Sequence, residues 1–446
     1  MARIARTVDP RPKALRKETP MRLDPCPGAG RPVAACVVPI LPLLLLLAPS
    51  DLHALRLGNT VVTPTLELYG TYDDNVLLRP DDDPDRPVED DWIGRIIPGI
   101  TLARPEGAWR FSAGYRNEFL FYKDLTERDV KGTNHIATLG LGRALGERTS
   151  FSLDDTFRKG TEISSLSEAG FTDVTRTGIL PRSRDYIVNS AAFTATHALS
   201  RRFSLSGNLG YAYNRYDPVR SQEVEIEPRR ENHLVDSRMT ASYAVHPRNS
   251  VTASVGFSYN DYGDEGDSRI YLGTLGDSWQ VTSALTLNGS AGVEYLNEHD
   301  RGPDRAGPTV SDSSVNPYGE LGATYVLERF RFLVSFFYGL TDSSGLGTTV
   351  TSRSVRLGVD YTPWQRLVMR AFGFYSKTDS AGEDQDRPSE DIESIQAGTS
   401  LDYEVTRWCT TRVQYNYIDQ DSSGTGAGGT YKDNRVLLGF ILTAPE

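Results

Sequence analysis

At 446 residues the chain is long enough for one very large domain or two to three ordinary ones. Only 38% of it is apolar, too little for a soluble core of that size, while 22 Tyr, 16 Phe and 40 Gly exclude simple disorder and suit strands with one apolar and one wet face. Residues 1–54 carry a net +4 of a total of −11, which leaves −15 on the remainder and disfavours nucleic acid as a partner.

The first predicted element is a leader, residues 1–54. Val33 to Ala48 is an apolar run behind Arg22 and Arg31, interrupted by Pro39 and Pro42. Its length is that of a signal-peptide core and short for a membrane span. Leu52-His53-Ala54 offers a cleavage site with Leu55 as first mature residue, and Met21 is an alternative start. Val33-Ala34-Ala35-Cys36 has the form of a lipoprotein box, yet precedes the Leu run instead of following it. Cys26 and Cys36 lie in the leader, so residues 55–446 hold only Cys409, with neither an intramolecular disulfide nor a thiolate metal site. No second run is long enough for a transmembrane helix.

From Val61 onward, segments of roughly ten to fourteen residues alternate apolar and polar, the two-residue period of a strand. Phe203, Leu205, Leu209, Tyr211 and Tyr213 share one face, and Ser204, Ser206 and Asn208 the other. Val251 to Tyr259, Leu285 to Tyr295 and Val355 to Tyr361 repeat the pattern. Eight short turns, from Arg104–Gly107 to Thr406–Arg407, alternate with nine long polar loops, from Asp73–Asp91 to Asp421–Tyr431. The prediction is an all-β, antiparallel up-and-down transmembrane barrel of about 18 strands (16–18) over residues 55–446, with both termini periplasmic. A soluble array of β-sandwiches is the alternative, but linkers and a domain-length repeat are missing. Aromatics crowd the strand ends as a bilayer girdle would: Trp92, Trp109, Phe119, Phe121 and Tyr122, then Tyr213, Tyr216, Tyr259 and Tyr262, then Trp364, Tyr375, Trp408, Tyr415 and Tyr417.

If the apolar faces meet lipid, the polar faces line a lumen. The candidates are Arg110, Arg116, Glu118, Arg158, Arg238, Glu294, Glu320, Arg356, Asp360, Arg370, Glu404 and Arg412, because charge in hydrocarbon is costly. They could wet a selective conduit, or brace a plugged barrel as a salt-bridge lattice. Gly160–Arg184, the third outer loop, is a candidate constriction. Asp81-Asp82-Asp83-Pro84-Asp85 with Glu89-Asp90-Asp91 could hold Ca²⁺, though a solvated charge run is the commoner meaning. Asp261–Asp267 lacks the spacing of an EF-hand and reads as a hairpin turn. His135, His197, His233, His246 and His299 show no metal-ligand spacing, and no nucleophile elbow or phosphate loop occurs. His233 with Asp236, and His299 with Asp300, are the remaining hydrolase candidates. No catalytic residue, metal or cofactor is expected.

Tyr72-Asp73-Asp74-Asn75-Val76, followed by Ile93 through Ile97-Pro98-Gly99-Ile100-Thr101-Leu102, resembles the opening of the β-barrel porin 2 family. The resemblance implies an outer-membrane barrel of a Gram-negative bacterium, associated with exopolysaccharide assembly and secretion. Its expected partners are outer-membrane lipid, the barrel-assembly machinery and periplasmic polysaccharide-export proteins. The chain departs from the barrel pattern at its end: Phe440 comes early, and Ala444-Pro445-Glu446 replaces a terminal aromatic. The functional expectation is a non-enzymatic conduit or secretion component. Its alternatives are a closed-lumen scaffold or adhesin and an outer-membrane hydrolase.

Overall fold

The computed structural model describes residues 54–79, 87–125, 133–161, 185–217, 219–221, 224–227, 230–263, 266–300, 310–342, 349–380, 391–423 and 430–445. The leader lies outside them. The described residues form strands and turns, with no helix. A short β1 (Leu55–Leu57) precedes β2 (Thr60–Asp73), β3 (Asp91–Arg104), β4 (Trp109–Tyr122), β5 (Asn134–Leu145), β6 (Thr149–Gly160), β7 (Tyr186–Ala198) and β8 (Phe203–Tyr216). A separate small hairpin follows, β9 (Val219–Ser221) and β10 (Val224–Glu227). The wall resumes with β11 (Arg230–His246), β12 (Asn249–Asp261), β13 (Gly266–Gln280), β14 (Leu285–Asp300), β15 (Val310–Leu327) and β16 (Phe330–Asp342). It finishes with β17 (Thr349–Trp364), β18 (Leu367–Ser380), β19 (Asp391–Thr406), β20 (Cys409–Ser423) and β21 (Tyr431–Thr443).

Successive strands of the wall pair antiparallel, β8 passes directly to β11, and β21 returns to β2 through Thr65↔Thr443 to Asp73↔Arg435. The result is a closed 18-stranded up-and-down barrel. Closure gives the edge strands partners, which is what permits a sheet to stand in hydrocarbon. The eight predicted short turns all fall between paired strands, as at residues 105–108, 146–148 and 407–408.

The period-2 pattern becomes physical in the register. Leu205, Ala241, Ala253, Leu275, Ala291 and Gly319 form one row of partners across β8 and β11–β15, and all point outward. Leu275 is 72% exposed and Val255 64%, values a water-facing surface would not sustain over so many neighbours. Aromatic contacts flank this band. Toward the long loops stand Tyr72 with Trp92 and Phe257 with Tyr271. Toward the short turns stand Trp109 with Phe151, Phe330 with Tyr361, and Arg143 over Trp109. Three of the expected girdle residues are placed otherwise: Tyr122, Tyr216 and Tyr262 are buried. On β4 the parity that sends Phe119 and Phe121 outward turns Tyr122 into the lumen, where it packs on Val76 and Leu120.

Four prolines lie inside strands, each where a ladder is interrupted. Pro64 precedes the first β2–β21 pair, Pro98 falls in a gap of the β3–β4 ladder, Pro317 lies just past the last β15–β16 pair, and Pro363 sits in a register shift. Proline cannot donate to a ladder, so these sites cost the sheet least.

Asp155, midway along β6, departs from the outward apolar pattern, and its Oδ1 accepts from Asn189 Nδ2 at 2.9 Å. Replacing it with Leu is expected to stabilise the barrel by about 1 kcal/mol, since a lipid-facing carboxylate is unfavourable at mid-depth. Urea unfolding in detergent or lipid checks this. At the closing seam, a Cβ on Gly439 would lie 2.0 Å from Tyr69 Cδ1 and 2.3 Å from the Leu68 carbonyl oxygen, whereas one on Gly207 would meet nothing within 4 Å. Gly439→Ala should therefore cost at least about 1–3 kcal/mol by overpacking. It should also diminish the folded, heat-modifiable band on a gel, with Gly207→Ala close to neutral.

Candidate functional site

The site is the lumen and its mouth at the long-loop end. Contacts between strands that are not neighbours identify the lumen face: Arg116 of β4 reaches Glu67 of β2 at 3.5 Å, and Thr349 of β17 donates to Ser268 of β13 at 2.8 Å. The ladders put all twelve charged candidates on this face.

They divide by environment. Asp402 binds Arg412 in a two-pronged pair (2.7 and 3.0 Å) and Arg370 at 2.7 Å, and Arg370 approaches Asp360 at 4.0 Å. Across the seam, Glu67 takes Arg116 and the Tyr69 hydroxyl, the latter at 2.5 Å. Alternating charge thus runs from β17 through β20 and β2 to β4. Glu118 is buried: Arg95 pairs with it at 2.9 Å, Asn134 Nδ2 donates to it at 2.7 Å, and Asn134 Oδ1 receives Thr161 N. Glu294, also buried, accepts the Leu340 amide at 2.6 Å, and Glu320 accepts the Tyr318 hydroxyl. Arg356 is half-buried over the Phe374 ring. Arg158, Arg238 and Glu404 are half-buried, while Arg110 is exposed. Asp402, Glu67 and Arg95 escaped sequence reading, although their parity with Glu404, Tyr69 and Ile93 was visible; which strand each would reach was not.

The opposite wall is sparsely charged, with Asp236 and Arg238 of β11 on its lumen face. Among the described residues, β7, β8, β12 and β13 place no charged side chain on the lumen face. They present hydroxyls and amides, as where Thr194 donates to Asn208 at 2.8 Å and Thr240 of β11 meets Ser254 at 2.9 Å.

Two features narrow the mouth. The first is a hook after β2, formed by the Tyr72–Val76 stretch. Asn75, fully buried, donates through Nδ2 to the carbonyls of Arg79 and Lys432, both at 2.9 Å, while its Oδ1 receives Arg79 N at 2.8 Å. The turn closes at Leu78 with φ 48°, an unusual backbone for a non-glycine residue. Val76 is thereby set against Ile93, Leu120 and Tyr122, and Leu78 against Ile418 and Tyr431. The second feature is a tuck of the β16–β17 hairpin. The β15–β16 ladder stops at Gly319↔Tyr338, beside Pro317, and β15 continues with β14 alone. Leu340 then packs on Ile270 and Leu296, and Tyr262 OH, Thr349 Oγ1 and Ser268 Oγ form a hydroxyl chain. Leu340 and Thr349 have outward parity on their own strands, whereas Ile270, Leu296 and Ser268 face the lumen. The wall therefore overlaps itself. The expected constriction by Gly160–Arg184 falls on residues 162–184, outside the described residues.

The His233–Asp236 pair does not assemble, and the side chain of Asp300, the other candidate's acid, lies outside the described residues. His233 points outward to the Tyr211 hydroxyl at 3.1 Å, while Asp236, three residues on, lies inside against Gly210. His299 Nδ1 is 3.8 Å from Asp267.

No family model and no curated protein matches the chain, so the likeness to the β-barrel porin 2 family rests on the residues quoted for it. Solved structures align along most of its length. OccK2 (OpdF) of Pseudomonas aeruginosa aligns at TM-score 0.43 and 12% identity, over 87% of this chain and 98% of that one. OpdL of the same organism gives 0.42 and 14%, over 87% and 99%. The ferric-catecholate import receptor Fiu of E. coli K12 gives 0.43 and 9%, over 84% and 81%.

Asn75→Ala should cost about 1–3 kcal/mol, because buried backbone groups of Arg79 and Lys432 lose their partner. Limited proteolysis should then cut between Asn75 and Asp91 faster, with the remaining barrel intact. The closed ladder, the apolar outward band and its two aromatic flanks make this chain an outer-membrane β-barrel.

Proposed function

We propose that the barrel is a non-enzymatic conduit for polar solutes in the outer membrane of a Gram-negative bacterium. Its long-loop end faces outward and both termini lie in the periplasm. The observation that carries this reading is the two-sided lumen: a wall of hydroxyls and amides on β7, β8, β12 and β13, charged only at Asp236 and Arg238 of the intervening β11, faces a wall of paired charges. A lumen face wetted in this way along so many strands is suited to water and hydrogen-bonding solutes. Carbohydrate polymer is the substrate class we assign, since a polyhydroxyl chain can exchange hydrogen bonds with such a wall without desolvating a charge. Exopolysaccharide export, with periplasmic export proteins as partners, follows from that assignment and from the family resemblance of Tyr72–Val76.

A second reading, a closed scaffold, draws on the tuck and the hook, both of which occupy the mouth. Single-channel recording on residues 55–446 in a planar bilayer separates the two. The conduit gives discrete ohmic steps that grow when Leu340→Ser and Thr349→Ala release the hairpin, and whose ion selectivity shifts with Arg238→Glu. Silence from folded barrel, both before and after release of the hairpin, would leave only the scaffold.

A further inference from the structure

We propose that Asp73, Asp74 and Asp433 hold a divalent cation, calcium in preference to magnesium, where the hook crosses the closing seam. One carboxylate oxygen from each residue lies within 4.8 Å of the others. Asp73 and Asp433 are buried, and Asp74 is half-buried. Two of the carboxylates share one guanidinium: Arg435 Nε is 2.8 Å from both Asp73 Oδ2 and Asp433 Oδ2.

The protein's other donors here are committed. Asn75 N is spent on Asp73 Oδ1, and both Asn434 N and Nδ2 are spent on Asp74. Asp433 Oδ1 is left, fully buried, with no hydrogen-bond donor among the described residues. A buried acceptor of this kind, in a site with more negative than positive charge, calls for a further positive partner. Oxygen-only ligands from an irregular turn and two strands fit the flexible shell of calcium better than the strict octahedron of magnesium. Affinity in the range of extracellular calcium modules, about 10⁻⁴–10⁻³ M, is expected. The ion would join the hook, the first barrel strand and the last, a role separate from solute passage.

Terbium luminescence on the folded barrel in detergent tests this, with Tyr72 and Trp92, in tilted contact 5.2 Å apart beside Asp73 and Asp91, as the antenna. The expected result is a saturable signal displaced by calcium and less readily by magnesium, with a higher thermal unfolding temperature in calcium than in EDTA. Asp433→Asn and Asp74→Asn should each abolish the signal, while Asp83→Asn with Asp85→Asn, in the nearby acidic run, should leave it. Because a seam variant can fail to assemble, the wild-type titration stands as an independent test. Three results would overturn the proposal. One is a wild-type barrel with no calcium-displaced signal and the same unfolding temperature in calcium and EDTA, which would leave a shared proton between Asp73 and Asp433. Another is a signal that survives both seam substitutions. The last is a signal lost on changing Asp83 and Asp85, which would move the ion to the acidic run.

Discussion

Within hydrocarbon every backbone amide and carbonyl must find a protein partner, and in this chain that requirement comes to rest on one non-local pairing. All other ladders of the wall join strands consecutive in the chain, or separated only by the β9–β10 hairpin. The β2–β21 ladder joins the two ends of the barrel with nine register pairs, against thirteen for β2–β3. Side chains supplement it. Tyr69 lies across Gly439, Asp74 binds the backbone and amide of Asn434, and Asp73 pairs with Arg435. A contact of such high sequence separation forms late because loop closure must precede it. Concentrating specific polar contacts there, where register would otherwise be free to slip, sets the alignment of the whole wall.

The mouth follows from a local failure of the same ladder. Pro317 has no amide to give β16, and the Leu340 amide on that strand is taken by Glu294 instead. Once unpaired, the end of the β16–β17 hairpin gains more by burying Leu340 against Ile270 and Leu296 than by standing in water. Gly339 permits the approach, since a Cβ there would lie only 3.0 Å from both Glu294 Oε2 and Tyr318 Cδ2. The hook on the other side obeys a different rule. Asn75 replaces a run of backbone hydrogen bonds with its own amide, which lets the chain turn inward without stranding polar groups.

Alternation made the barrel legible from sequence, because a strand with lipid on one face and water on the other must repeat every two residues. The short turns were legible for a related reason: Gly107 and Gly146 take positive φ where a tight reversal needs it. Parity also placed Arg370, Arg412 and Asp360 on a common face. That Asp402 would bind both arginines, or that Arg116 would cross to Glu67, required inter-strand register, which no single strand encodes. The hook and the tuck were illegible for the same reason. Val76 and Leu340 look like ordinary apolar residues beside loops until their partners, 17 to 70 positions away, are known.

The pairing of the lumen charges bears on what such a conduit could discriminate. Asp402 is neutralised by two arginines, Glu67 by Arg116 and Glu118 by Arg95, so much of the charge on that wall is balanced within a few ångströms. Paired charges produce short-range fields that solvent and salt screen further, in contrast to a single-sign ring, which focuses field lines across a pore. Selection by charge would then be weak over most of the lumen. Discrimination would fall instead to the sparsely charged wall and to the width of the mouth. The first favours solutes that trade hydrogen bonds with water and protein at nearly equal free energy, which permits passage without capture. The second depends on how firmly Leu340 and the Tyr262–Thr349–Ser268 hydroxyl chain hold the hairpin across the opening. That latch is largely neutral and lies above the outward apolar band, so it can release into water without exposing a charge to lipid.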